Sequence, residues 1–283
     1  MITVKPERLN LREYDLADLP DSNVLDLIPG TLIGRHIRFF NVLDSTNLYA
    51  SKLAHQGMPE GTVVIADCQT KGRGRLNRVW QSPPGRNLYT SVVLRPSVEP
   101  SIAPQLTLAA GVAVADVLSR YCEKPATLKW PNDVQIGGKK ICGILTEMRT
   151  SGASVDYIIV GIGINLNMRK NEFHEDFREI STSVREETHN DVSRVQFAAD
   201  LYSSFERVYE TYRLEGFEPI REAWLDYARI VGKNIRVNQP DEIRKGTVRG
   251  IDEYGALLIF DDEKNMKRIL SGDVSLLGDE TCC

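Results

Sequence analysis

The sequence predicts an α+β fold, a mixed or antiparallel sheet covered by helices, with a small β-barrel after it. From Arg35 onward, short apolar runs such as IRFFNVL, TVVIA and NLYTSVVLRP are separated by turn residues, in the manner of hairpin-forming strands. The segments with helical spacing are few and need cover only one face of such a sheet, which argues against a doubly wound arrangement. Beyond Val231 the pattern changes to short β segments separated by frequent turns, the signature of a small barrel.

Taken in order, the first residues carry Pro6, Pro20, Pro29 and scattered charge. They read as an irregular lead-in with one short helix, too short for a helix-turn-helix domain. The run IRFFNVL is the first strand, and a helix over 46–55 follows the cap candidates Asp44 and Ser45. TVVIA and NLYTSVVLRP are strands, and the Ala/Leu/Val stretch 103–121 behind Pro100 and Ser101 is a long helix. ATLKW, VQIGG, KICGILTEMR and VDYIIVGIGINLN continue the sheet, and helices over 194–213 and 219–227 close the main domain. The final segments GKNIRVNQ, EIRKGTVRGID, GALLIFDD and KRILSGDVSLL form the barrel. The expected division is an N-terminal extension 1–34, a main domain 35–229 and a small domain 230–283.

The chain of 283 residues is 42% hydrophobic and 26% charged, an ordinary globular composition. Its net charge of -4 provides no global field for nucleic acid or an anionic membrane. Cys68, Cys122, Cys142, Cys282 and Cys283 show no C-x-x-C spacing, so free thiols in a reducing cytoplasm are expected, with the terminal pair read as a tail and not a lipid anchor. The most apolar run, LTLAAGVAVADVL, is interrupted by Asp116 and reads as too short to span a bilayer. His36, His55, His174 and His189 lack ligand spacing and are given no metal role.

Against this acidic background, KGRGRLNRVW places Lys71, Arg73, Arg75 and Arg78 together with Gly72, Gly74 and Trp80 and without an acid. A dinucleotide fingerprint fails because the third glycine position is Asn77 and no helix opens there, and no Walker string exists in the chain. What remains is a flexible basic loop between two strands. Its glycines let backbone N–H groups converge on an anion, and its guanidinium forks match phosphate or carboxylate. One tryptophan beside it suits one nucleotide better than a nucleic-acid surface.

Five strings now carry a family resemblance: DSTN at 44–47, Gln69 followed by GRGR and Trp80, KWPND at 129–133, KICGIL at 140–145 and GIGIN at 161–165. In this order the chain resembles a biotin protein ligase, in the form without an N-terminal DNA-binding domain. The resemblance implies a class II synthetase-like sheet with a small SH3-like C-terminal barrel. It also implies ATP-dependent attachment of biotin to a lysine of a biotin carboxyl carrier protein of acetyl-CoA carboxylase or a related carboxylase. The intermediate would be biotinyl-5′-AMP, and Mg²⁺ would accompany ATP. No nucleic acid or membrane partner is expected, and a homodimer stays open.

By the same resemblance Lys140 and Arg75 carry the chemistry, with strand alternation turning Lys139 to the other face. Biotin contacts fall to Ser45, Thr46, Asn47, Gln69, Gly72, Arg73, Gly74, Arg75, Lys140 and Gly143, although DST also reads as a plain helix cap. ATP or adenylate contacts fall to Arg78, Trp80, Lys129, Asn132, Asp133 and Asn165, with Asp133 placed near Mg²⁺ or, equally, in a simple turn. Trp130 is read as core. Asn77 replaces the family's usual loop glycine beside Leu76, and asparagine tolerates left-handed backbone better than other side chains. A lipoate or octanoate ligase of the same superfamily is the main alternative, but neither its serine-glycine-glycine loop nor a nucleophilic cysteine context is found. A non-catalytic nucleotide- or RNA-binding protein is the other.

Overall fold

The computed structural model describes residues 31–152 and 154–277. Strands β1 (His36–Leu43), β2 (Thr62–Gln69), β3 (Leu88–Leu94), β4 (Ala126–Lys129), β5 (Asp133–Ile136), β6 (Lys139–Ser151) and β7 (Ser154–Ile164) form one sheet in the order β1-β2-β3-β7-β6-β5-β4. Only β1 and β2 run parallel; the other pairs are antiparallel. The mixed, mainly antiparallel character follows from the short turns between β4 and β5 and between β6 and β7, which permit no crossover.

Helices lie on both faces, which corrects the one-face expectation. Side-chain alternation is the reason. On β2, β3 and β7, Val63, Ile65, Val92, Leu94, Ile158, Val160 and Ile162 join the main core with helices α2 (Ala103–Tyr121), α5 (Arg194–Glu215) and α6 (Glu218–Ala228). The intervening Val64, Val93, Tyr157 and Ile159 meet Ala50 and Ala54 of α1 (Thr46–His55) on the opposite face. Strands buried on both faces lose the polar alternation that would announce a second helical layer. Two short helices, α3 (Glu175–Arg178) and α4 (Val184–Thr188), follow β7 and were not expected from periodicity, because four or five residues are too few to show it.

With its preceding 3₁₀ turn, α2 spans Pro100–Tyr121, long and apolar enough by length and composition to cross a membrane, which corrects the shorter expectation. In this fold 72% of its apolar window is buried, and Asp116 inside it accepts the Tyr227 hydroxyl at 2.7 Å and pairs with Arg207. It is a core helix here. Cys122 and Cys142 are buried free thiols, and burial raises the Cys122 pKa to about 11. Cys282, Cys283 and the expected lead-in helix lie outside the described residues.

The small domain is a five-stranded antiparallel sheet, β11 (Met266–Ile269), β10 (Leu257–Phe260), β9 (Ile243–Ile251), β8 (Asn234–Asn238) and β12 (Asp273–Leu276) in that order. The expected closed barrel is not found among the described residues. Each four-residue edge strand pairs inward, β11 with β10 and β12 with β8, so no ladder joins the two edges. This sheet docks on the main domain through its β9–β10 turn. Trp130, 2% exposed, donates its indole N–H to Gly255 O at 3.1 Å, and Gln105 donates to Glu253 O.

The chain entering β1 is tethered to α5 by Glu206. Its carboxylate accepts backbone N–H groups of Leu32 at 3.0 Å and Ile33 at 2.8 Å, together with the Thr31 hydroxyl. Burial pushes the Glu206 pKa up, but the hydrogen bonds from Thr31, Leu32 and Ile33 outweigh it and leave the pKa lowered. A lowered folded-state pKa contributes stability that is present above the unfolded value and lost as pH falls through the folded one. Glu206→Gln is therefore expected to cost about 1.5–3 kcal/mol at neutral pH, the range for hydrogen bonds to a charged group. The difference from wild type, measured by urea unfolding across pH, should shrink below roughly pH 4, where glutamate protonates.

Candidate active site

A cavity of about 1010 Å³ opens on the α1 face of the main sheet, at the upper end of small-molecule sites. Its floor is bare backbone. The residues of β7 that face α1 continue from Ile159 to Gly161 and Gly163, and on β6 the register partner of Gly163 is Gly143. A Cβ at Gly163 would lie 2.6 Å from Trp80 Nε1, and one at Gly143 3.0 Å from the same indole. At Gly161 it would lie 2.0 Å from Asn47 Oδ1. These glycines make room for two protein side chains that shape the cavity, Trp80 and Asn47.

Lys140 reaches this floor through a backbone irregularity. Along β5 and β6, Asp133 pairs with Gly143 and Val134 with Cys142, but Gln135 pairs with Lys140, leaving Ile141 as a bulge. Strict alternation back from Gly143 would set Lys140 on the core face with Cys142 and Ile144; the extra residue turns it to the cavity. Its ammonium lies 2.7 Å from Asp133 Oδ1 and 5.3 Å from the centre of the Trp80 ring.

The loop read as flexible is a folded hairpin. Trp80 N–H donates to Gly72 O at 3.0 Å, Gly74 N–H to Arg78 O at 2.7 Å, and Arg73 bridges Val79. At the turn both Leu76 (φ 54°) and Asn77 (φ 57°) are left-handed, so the unusual backbone extends to a leucine. The loop's positive charge does have acids to pair with, supplied by distant elements: Glu147 of β6 lies 3.2 Å from Arg73, and Asp273 of β12 pairs with Arg78. Arg75 differs. It donates to Asn132 Oδ1 at 3.2 Å and Gly272 O at 3.5 Å, and no carboxylate lies within ion-pair distance among the described residues. Burial lowers its pKa against the opposing attraction of Asp273 and Asp133. Arg75 is thus the loop cation best placed to receive an anion.

Ser45 occupies the N-cap of α1, but its side chain makes no cap bond. Gln69 takes that role, accepting Thr46 N–H at 2.9 Å and donating to Ser82 Oγ at 3.1 Å. The Ser91 hydroxyl lies 2.7 Å from Thr46 Oγ1 and 2.6 Å from Asn47 Oδ1, while Asn47 Nδ2 donates to Glu147 at 2.7 Å. Plain capping therefore does not explain DSTN: this is a buried polar network whose amide orientations are fixed by partners on three strands.

Fifteen of the sixteen sequence-selected residues line this cavity: Ser45, Thr46, Asn47, Gln69, Arg73, Gly74, Arg75, Arg78, Trp80, Lys129, Asn132, Asp133, Lys140, Gly143 and Asn165. Gly72 stands behind the wall, where a Cβ would be 2.4 Å from Trp80 O. Asn132 also donates to Ile144 O at 2.8 Å, and Asn165 donates to Thr182 O at 3.1 Å, so both brace the backbone. The Trp80 indole N–H is buried against the Gly163 backbone without a hydrogen-bond partner among the described residues. Sequence reasoning missed Glu147 and Ser91, which hold the residues of the site, and the lining residues Asp273, Phe173, His174, Phe177 and Ile180. None belongs to a local motif. Among the described residues no three His, Cys, Asp or Glu side chains gather as a metal site.

A floor glycine and a loop glycine separate in a thermal melt. Gly161→Ala must displace Asn47 and is expected to cost about 1–3 kcal/mol, the range for overpacking a tight site. Gly74→Ala meets nothing nearer than 3.6 Å and should leave the midpoint at or above wild type.

The geometry agrees with what comparison with known proteins shows. Residues 39–165 match the model of the Biotin/lipoate A/B protein ligase family, and residues 230–277 match the Biotin protein ligase C terminal domain. The chain is 38% identical over 258 residues to the bifunctional ligase/repressor BirA of Bacillus subtilis, covering 91% of this chain and 79% of that protein. It is 38% identical over 219 residues to the biotin--[acetyl-CoA-carboxylase] ligase of Paracoccus denitrificans, covering 76% and 90%. The biotin protein ligase of Aquifex aeolicus, solved in complex with biotin and ATP, superimposes with a TM-score of 0.73 at 32% identity, covering 86% of this chain and 99% of that one. A glycine-floored cavity ringed by Lys140 and the loop arginines, on this sheet and with this C-terminal domain, leaves one conclusion: the chain belongs to the biotin protein ligase family.

Proposed function

We propose that this protein uses ATP to join biotin to a lysine of a biotin carboxyl carrier protein. The observation that carries this reading is the convergence of Lys140 and Arg75 on one cavity large enough for two substrates, in a chain of this family. In the first step an oxygen of the biotin carboxylate attacks the α-phosphorus of ATP, and pyrophosphate leaves. In the second the neutral ε-amine of the carrier lysine attacks the acyl carbon of biotinyl-5′-AMP; the C–O bond to phosphate breaks, AMP leaves and the amine proton passes to solvent.

Both steps gather negative charge on phosphate and acyl oxygens, so preorganised cations are the main requirement. Lys140 brings the two anions together and stabilises the charge passing between them. Arg75, lacking a carboxylate partner, meets carboxylate or α-phosphate oxygens at small cost in broken ion pairs. The network of Thr46, Asn47 and Gln69 reads the ureido ring, and Trp80 offers the adenylate a stacking face. Asn132 and Lys129 border the same adenylate region, and Asn165 braces the strand end beneath it. Asp133 would hold a Mg²⁺ accompanying ATP, together with waters and phosphate oxygens, and the ion would supply neutralisation of phosphate charge. The buried free thiols suit a reducing cytoplasm.

The test is mass spectrometry of a purified carrier domain incubated with the protein, Mg-ATP and biotin, alongside pyrophosphate release with biotin or lipoate. One biotin added at a lysine is expected; turnover with lipoate alone overturns the reading. Lys140→Ala should fold normally by circular dichroism and lose about 10²–10³-fold in adenylate formation, the range for removing one transition-state donor.

A further inference from the structure

The small domain reaches the cavity at one point. Asp273 and Val274, at the start of β12, line its wall, and Asp273 pairs with Arg78 while Gly272 O accepts from Arg75. This segment is closely packed on its own sheet: a Cβ at Gly272 would fall 2.5 Å from Val237 Cγ1, and Asp273 is in register with Asn238 of β8. The opposing arginine turn sits on the two left-handed residues Leu76 and Asn77. Of the cavity's ion pairs, Lys140–Asp133 and Arg73–Glu147 lie within the main domain, whereas Arg78–Asp273 joins the loop to the small domain at the mouth. The Arg78 side chain is 63% exposed there, the Asp273 side chain 37%.

We infer that Asp273 is a positioning residue for the polyphosphate: it holds Arg78 at the mouth and competes with pyrophosphate for that guanidinium, so that leaving pyrophosphate is exchanged for a waiting carboxylate. The inference rests on the ligase reading above. Asp273 holds the Nη2 edge of the Arg78 guanidinium, so a phosphate oxygen that takes that same edge displaces Asp273, and the return of Asp273 displaces phosphate. A carboxylate fixed to the small domain also weakens the affinity of any anion at this corner by simple repulsion. The step makes and breaks no covalent bond. It sets how readily the first product leaves, and with it how fully adenylate formation is drawn forward.

The experiment measures pyrophosphate product inhibition and the KM values for ATP and biotin in the full chain. Removing the competitor in Asp273→Asn is expected to strengthen pyrophosphate inhibition and lower the ATP KM by about two- to fivefold, the range set by an exposed ion pair. The biotin KM should stay constant, a split that general loosening of the fold does not produce. Asp273→Glu should retain wild-type inhibition. In an Arg78→Ala background, the same Asp273→Asn change should have no effect, because its target is gone. Unchanged or weaker pyrophosphate inhibition in Asp273→Asn, or an equal effect with and without Arg78, overturns the inference. The ligase reading has its own control: it fails if wild type releases no pyrophosphate from ATP and biotin.

Discussion

The site depends on a patch of sheet that carries no side chains. On the α1 face of β6 and β7, the positions following the apolar contacts of Ile159 are glycines, and each is occupied from above by a group from elsewhere: the Asn47 amide over Gly161, the Trp80 indole over Gly143 and Gly163. A sheet normally covers both faces with its own side chains. Leaving one stretch bare lets a helix N-terminus and a hairpin descend to the backbone and enclose a cavity between them. The rest of the chemistry is arranged around that floor, including Lys140, which stands beside Gly143 because Ile141 is bulged.

Electrostatics then sorts the cations by partner. Removing several positive charges from water without anions is unfavourable, so the fold assigns Asp133 to Lys140, Glu147 to Arg73 and Asp273 to Arg78. Arg75 is held by a side-chain amide and a carbonyl instead. A substrate anion therefore meets one cation that is oriented and has no carboxylate to displace, and others whose carboxylates must be exchanged. This arrangement keeps the hairpin folded before substrate arrives and still leaves a place for negative charge.

The acids that balance the loop come from two different parts of the chain, and no local reading finds them. Glu147 sits in an ordinary strand seventy-odd residues beyond Arg73, and Asp273 in the small domain; each becomes a partner only because β6 and β12 end up beside the hairpin. The same holds for Gln69 as the effective cap of α1, which a search for Ser, Thr or Asp before the helix assigns to Ser45. The second helical layer escaped notice because fully buried strands carry apolar residues on both faces, so alternation no longer distinguishes them.

By itself the sequence determined the mixed α+β arrangement, most strand and helix positions, and a set of residues of which all but Gly72 reach one cavity. It could do so because periodicity, turn residues and ordered motifs are local properties of the chain. Only the tertiary structure decided that Lys140 faces the cavity through a bulge, that the basic loop is a hairpin, that the small sheet stays open at its edges, and which carboxylate answers each arginine. Those are matters of register and long-range proximity. A one-residue slip or a distant strand settles them, and neither leaves a mark in the neighbouring sequence.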